Sequence, residues 1–166
     1  MFLCVILILP GNSFPQVIDG AKNPSAFPDR DALGALFTVI QTKPAPAWDL
    51  DTRLKFLQDG GLKREEALGL IRAADRWFAE IGPLDTTSKA LKAQQAGKQL
   101  DKEWQAKADQ VAIQKLNRLD SNLADVRLSL TVDGNERLGS MLQSVKRGMK
   151  AHVIGTVPPP SQMPHH

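Results

Sequence analysis

Apolar residues recur along this chain at spacings of three and four, which puts them on one face of an α-helix in segment after segment. In the first, Leu33, Leu36, Phe37 and Ile40 fall at i, i+3, i+4 and i+7, with Asp29 or Asp31 as the cap and Lys43-Pro44-Ala45-Pro46 as the stop. A shorter segment from about Asp49 to Gln58 carries Leu50, Leu54 and Leu57 and closes at Gly60-Gly61, where a left-handed residue is needed. These two are expected to form an antiparallel hairpin. The third segment runs from about Lys63 to Ile81 and has Glu65 and Glu66 in its first turn, where the helix dipole favours acids. Its seam is Leu70 or Ile71, Ala74, Phe78 and Ile81, and Gly82-Pro83 predicts a hard stop.

The fourth segment opens at Asp85-Thr86-Thr87-Ser88 and continues to about Leu130, interrupted only by Gly97. Ala112, Leu116, Leu119, Leu123, Val126 and Leu130 alternate in steps of four and three, the spacing a coiled coil or bundle seam requires, and Leu100, Trp104, Ala108 and Val111 extend it backwards. A helix of about 45 residues would be about 65 Å long, so it projects from a compact domain or bends, with Asp120-Ser121-Asn122 the expected bend. The last helix starts at Thr131 or Asp133 and buries Leu138, Met141, Leu142, Val145 and Met149, with Lys146, Arg147 and Lys150 at its C-terminal end. No run alternates in the Val, Ile and Thr-rich manner of strands. The expected fold is all-α with strand content near zero. It is an irregular bundle of about five helices, with one long helix (about 85–130) packed against the C-terminal helix.

The chain ends read differently. Phe2 to Leu9 is an unbroken apolar run that stops at Pro10-Gly11; as a helix it would rise only about 12 Å, far short of a bilayer, so it reads as a secretory leader. No Lys or Arg precedes it, and Gly11 and Ser13 are the small residues nearest a cleavage site. The expected organisation is a signal peptide over 1–16, an extended lead over 17–28, a helical domain over 29–153 and a disordered Pro-rich tail over 154–166. Cys4 is the one cysteine, so a mature chain without the leader has neither disulfides nor thiolate chemistry.

Composition narrows the function. With 21 Lys and Arg against 18 Asp and Glu, the chain carries net +3 and interleaves its charges, which argues against a nucleic-acid footprint. Lys89 to Arg118 is the densest basic stretch and also holds Asp101, Glu103 and Asp109. Tyr is absent, and the body holds one histidine, His152. Gly-rich phosphate loops, His-x-x-x-His and Gly-x-Ser-x-Gly are missing. Trp77, beside Phe78, reads as packing at the edge of the core. An enzyme would have to work with the carboxylates of the third helix, Glu65, Glu66, Asp75 and Glu80, which read as solvent-side charges. A metal would have to use Met163, His165 and His166 on the tail, a weak site at best. No catalytic, cofactor-binding or metal-ligating residue is therefore assigned, and no cofactor.

The junction Leu130-Thr131-Val132-Asp133-Gly134, opening a helix that continues Glu136-Arg137-Leu138, resembles the Leu-Thr-x-x-Gln signature of small periplasmic stress proteins and chaperones of the Spy and CpxP type. The likeness spans about 20 residues; Gly134 stands where that motif has Gln, and a second copy is missing. It implies an exported, helical, non-catalytic dimer that cradles unfolded clients. The whole chain also looks like small secreted helical proteins of soil bacteria, for which no function is implied. The expectation is a periplasmic or secreted, non-catalytic helical binding or envelope-associated protein. Its partner is another protein or a second copy of itself, with no nucleic acid and no membrane span after leader removal. The alternatives are a small helical enzyme using scattered carboxylates and a tail-mediated metal binder.

The leader generates one prediction: protein recovered from an exported fraction lacks roughly the first 13 to 16 residues. Intact-mass spectrometry reads this directly, and Met1 retained in a soluble cytoplasmic fraction would sink it.

Overall fold

A computed structural model of the chain describes residues 4–8, 15–42, 49–95 and 101–154. It is an all-α bundle of five helices, α1 (Asp29–Thr42), α2 (Leu50–Asp59), α3 (Arg64–Gln95), α4 (Lys102–Ser129) and α5 (Val132–Arg147). A small three-stranded sheet joins the chain ends: β1 (Cys4–Ile8), β2 (Pro15–Asp19) and β3 (Lys150–Ile154), in the order β1-β3-β2.

At the centre lies α1. Every residue from Ala32 to Phe37 is buried, and Leu33, Leu36, Phe37 and Ile40 are 0–1 % exposed, so this helix is covered on more than the one face its stripe predicts. Around it pack α3, α4 and α5, while α2 lies on α3. Burying one such side chain is worth about 1.5–3 kcal/mol, and four of the nine largest fully buried side chains belong to this stripe. Ion pairs fasten the start of α1: Asp29 accepts from the Lys146 Nζ at 2.6 Å and from Arg127, and Arg30 donates to Asp120 at 3.0 Å. The Lys146 side chain is 6 % exposed.

Local chemistry explains the helix ends. The Asp49 carboxylate accepts from the Thr52 N–H and caps α2, and Gly61 takes the left-handed φ of 95° that closes it. The Thr131 hydroxyl caps α5 by accepting from the Gly134 N–H at 3.0 Å.

Four details differ from the sequence reading. First, Gly82-Pro83 does not stop α3, which runs on to Gln95. Proline disfavours helix in the residue before it mainly by clashing with that residue's Cβ, and glycine has none. Both residues are exposed, so the carbonyl that Pro83 leaves unpaired faces water. Second, the long helix is not 85–130: α3 is described to Gln95, Asp101 caps a new helix by accepting from the Trp104 N–H at 2.8 Å, and Gly97 lies outside the described residues. Consequently α4 packs on α3 and α1, whereas α5 packs mainly on α1. Third, α2 pairs with α3, not with α1 as a hairpin. Fourth, strand is scarce, as expected, but it is found at the chain ends. Part of the N-terminal apolar run is strand β1, parallel to β3; β2 spans the end of the expected leader and the start of the lead, antiparallel to β3; and β3 takes the last residues assigned to the helical domain. The cleavage region, Lys43-Pro46, Leu100 and the tail beyond 154 lie outside the described residues.

The seam of α4 is divided. Leu119 and Val126 are buried; Leu116, Leu123 and Leu130 are half-buried and Ala112 is exposed. From Gly82 to Arg118 no described residue is buried. The half-buried positions there include Leu84, Ser88, Leu91 and Gln95 on α3 and Trp104, Ala108, Val111 and Lys115 on α4, each set spaced four, three, four, with Asp85 and Leu116 beside them. The second half of α3 and the first half of α4 thus form an antiparallel helical arm about 20 Å long beyond the core. It is held by a hydrogen bond from the Trp104 Nε1 to the Leu91 carbonyl at 2.7 Å and by ion pairs Lys115–Asp85 at 2.5 Å and Arg118–Glu80 at 3.6 Å.

Leu119→Ala empties a core site and should cost about 2–4 kcal/mol, whereas Leu116→Ala on the arm should cost about 1 kcal/mol. Urea unfolding of both variants checks this. Because the Leu119 site closes within one chain, its loss should not depend on protein concentration.

Candidate functional site

The four carboxylates that would have served an enzyme are not brought together. Asp75 pairs with Arg53 at 3.2 Å and also accepts from Gln41; Glu80 faces Arg118; Glu65 has no partner among the described residues. Glu66 is the exception to their reading as solvent-side charges, because it is only 8 % exposed.

Glu66 joins two helix starts. Its Oε2 accepts from the Lys63 N–H at 3.0 Å, closing the first turn of α3 on itself in the manner of a capping box. Its Oε1 accepts from the Thr131 hydroxyl at 2.5 Å and from the Thr131 N–H at 3.4 Å. Thr131 in turn accepts from Gly134, so a directed chain runs from the Gly134 N–H through the Thr131 hydroxyl to the carboxylate. A Cβ on residue 134 would stand 2.3 Å from Glu66 Oε1, which is why glycine is found there. Hydrogen bonding from Thr131, then from the Lys63 N–H, holds the Glu66 carboxyl below its ordinary value of 4.5 against the opposing effect of burial. The positive ends of α3 and α5 meet on this ionised group.

Beside it lies a groove between α3 and α4. Its first part, about 380 Å³, is lined by Lys63, Arg64, Glu65, Arg72, Ser129 and Thr131 among others. The second, about 340 Å³, adds Arg76, Asp125 and Val126. Gly69, Arg72 and Ser129 line both, so the two parts are continuous, and both stand open to solvent. Arg30, Arg53, Arg118 and Arg127 each lie on a carboxylate. Among the described residues Arg64, Arg72 and Arg76 have no hydrogen bond or ion pair.

Trp77 is packing, as read: it is 8 % exposed, its ring tilted against Phe37 at 5.7 Å and edge-on to Phe78 at 4.8 Å. His152 lies on strand β3, and Met163, His165 and His166 lie outside the described residues. Among the described residues no group of three or more His, Cys, Asp or Glu is placed to hold a metal, and no helix is long and apolar enough to cross a membrane. Comparison with protein-family models, with curated proteins and with solved structures finds no match.

The sequence reading missed the groove because its arginines are 4 and 8 apart on one helix and its opposite wall is some 50 residues downstream. The signal for Glu66 was present in part: Glu three residues after a helix cap is the capping-box position. Thr131 as its second partner had no local signature.

Glu66→Gln should destabilise the fold by about 1–2 kcal/mol at neutral pH, since both carboxylate oxygens accept hydrogen bonds and the amide keeps only one acceptor oxygen to face either Lys63 or Thr131. A lowered folded value means that Glu66 stabilises above its ordinary value and loses that contribution as pH falls through the folded value. The gap between wild type and variant should therefore be widest near pH 7 and narrow below about pH 4.5, as read by denaturant unfolding across that range.

Proposed function

We propose that this protein is an exported, non-catalytic binding module of the cell envelope, chaperone-like in action, with the α3–α4 arm as its working surface. The arm carries the reading. From 82 to 118 none of the described residues contributes a buried side chain to the core, yet the sequence keeps apolar residues there at helical spacing. Leu84, Leu91, Trp104, Val111 and Leu116 are half-buried along the arm, and Ile113 is 55 % exposed. An antiparallel coiled-coil-like pair that displays part of its seam suits transient contact with exposed apolar segments of other proteins.

Two further observations favour binding over catalysis. The ionisable groups of α3 are spread among separate partners, and the one buried carboxylate is fully engaged in joining helices. Export rests on the apolar N-terminal run, and the resemblance at Leu130–Gly134 supports the chaperone-like role.

Light scattering of a guanidinium-denatured client diluted into buffer tests this. The full chain should suppress aggregation at near-equal concentration, and Ile113→Glu, at an exposed position, should weaken suppression without lowering the melting temperature. Absence of suppression by the wild type would remove the chaperone-like role; suppression unaffected by Ile113→Glu and by Leu91→Glu would remove the arm as its surface.

A further inference from the structure

We propose that the groove between α3 and α4 is a docking site for an extended acidic segment of a partner protein, with Arg72 and Arg76 taking its carboxylates. The proposal rests on the reading of the protein as a binding module but concerns a different surface, at the base of the arm. Arg72 and Arg76 are one helical turn apart and line the same side of α3. Among the described residues they have no hydrogen-bond or ion-pair partner, as is also true of Arg64, Arg137 and Arg147, whereas Arg30, Arg53, Arg118 and Arg127 each hold a carboxylate. An arginine offers a planar fork of donors that matches a carboxylate, and two such forks left vacant in one groove are acceptor-seeking.

The shape of the groove decides against a small-molecule pocket. Small ligands are held in enclosed cavities that bury most of their surface, whereas this groove is shallow and open along its length. From Lys63 to Arg76 it follows about 20 Å of helix, which matches about six residues of extended chain. Charge sets the sign of the occupant. Lys63, Arg64, Arg72 and Arg76 face Glu65, Glu66 and Asp125, so the cations are in excess by one, and the carboxylate of Glu66 is occupied by its own hydrogen bonds. Leu128 and Val132, the sequence neighbours of the lining residues Ser129 and Thr131, are 85 % and 78 % exposed. Exposed aliphatic side chains one residue from the lining, together with vacant guanidinium groups within it, suit a peptide with both acidic and aliphatic side chains rather than a free oxyanion.

Fluorescence anisotropy tests this with a labelled peptide of about six residues alternating Glu and Leu, and a control with Lys in place of Glu. The acidic peptide should bind the full chain, weaken as salt is raised, and lose about tenfold or more in affinity to Arg72→Ala/Arg76→Ala. The reversed pair Arg72→Glu/Arg76→Glu should lose the acidic peptide and gain the Lys control. Both pairs are free of folded-state partners, so circular dichroism and melting temperature should match wild type. Leu128→Ser/Val132→Ser should also weaken the peptide. No binding of the acidic peptide, binding unchanged in the double-alanine variant, or equal binding of the Lys control would overturn the proposal. So would complete displacement by millimolar inorganic phosphate, which would make the groove a simple oxyanion site. Because the aggregation assay reads the arm, success there with failure here removes the groove alone.

Discussion

The structure depends on covering α1. A helix buried over a run as continuous as Ala32 to Phe37 has no solvent side of its own, so neighbours must wrap it, and α3, α4 and α5 do so. Helix geometry then dictates the rest. The 14 residues of α1 are about 21 Å long, whereas the 32 of α3 and the 28 of α4 are about 48 and 42 Å. Two long helices cannot both spend their length on a short one. What α1 does not use has only the other long helix to pack against, and that surplus is the arm.

Polar groups fix how the wrapping helices meet. Glu66 lies where α3 begins and α5 begins, and its hydrogen bonds to Lys63 and Thr131 set one start against the other. At the opposite corner Asp29, held below its ordinary carboxyl value chiefly by its hydrogen bond to Lys146, draws α1, α4 and α5 together through Lys146 and Arg127. Burial of a lysine is unfavourable in itself, and its ion pair largely offsets that cost without adding much net stability. The pair's value is geometric: Lys146 has one position that satisfies it, and that position defines the angle of α5.

Much of this was legible in the residues. Helical spacing located the core of α1, the caps of α2 and α5 and the apolar face of α3, because each is a local property of a few turns. The misreadings have local causes too. Proline after glycine was taken as a stop, but the missing Cβ of Gly82 makes the pair compatible with helix. The start of a separate α4 was passed over because Gly97 stood alone, although Asp101, three residues before Trp104, is a cap. The strands went unseen for a different reason: the run that holds β1 was read for its leader-like composition, and β3 pairs with segments more than 130 residues away. The groove lay beyond sequence reading altogether, since vacancy of an arginine is a fact about what its neighbours in space are not doing.

Pro83 gives the molecule two grades of cohesion. It deletes one rung of the α3 hydrogen-bond ladder at the level where burial ends, immediately after Ile81. Below that rung, opening α3 means exposing Leu70, Ala74 and Ile81 and so dismantling the core. Above it, opening exposes only side chains that are already half in water, and the missing rung removes one obstacle to doing so. The arm and the body are therefore separate cooperative units on one continuous helix, and the arm can fray and re-form many times within the lifetime of a single folded core.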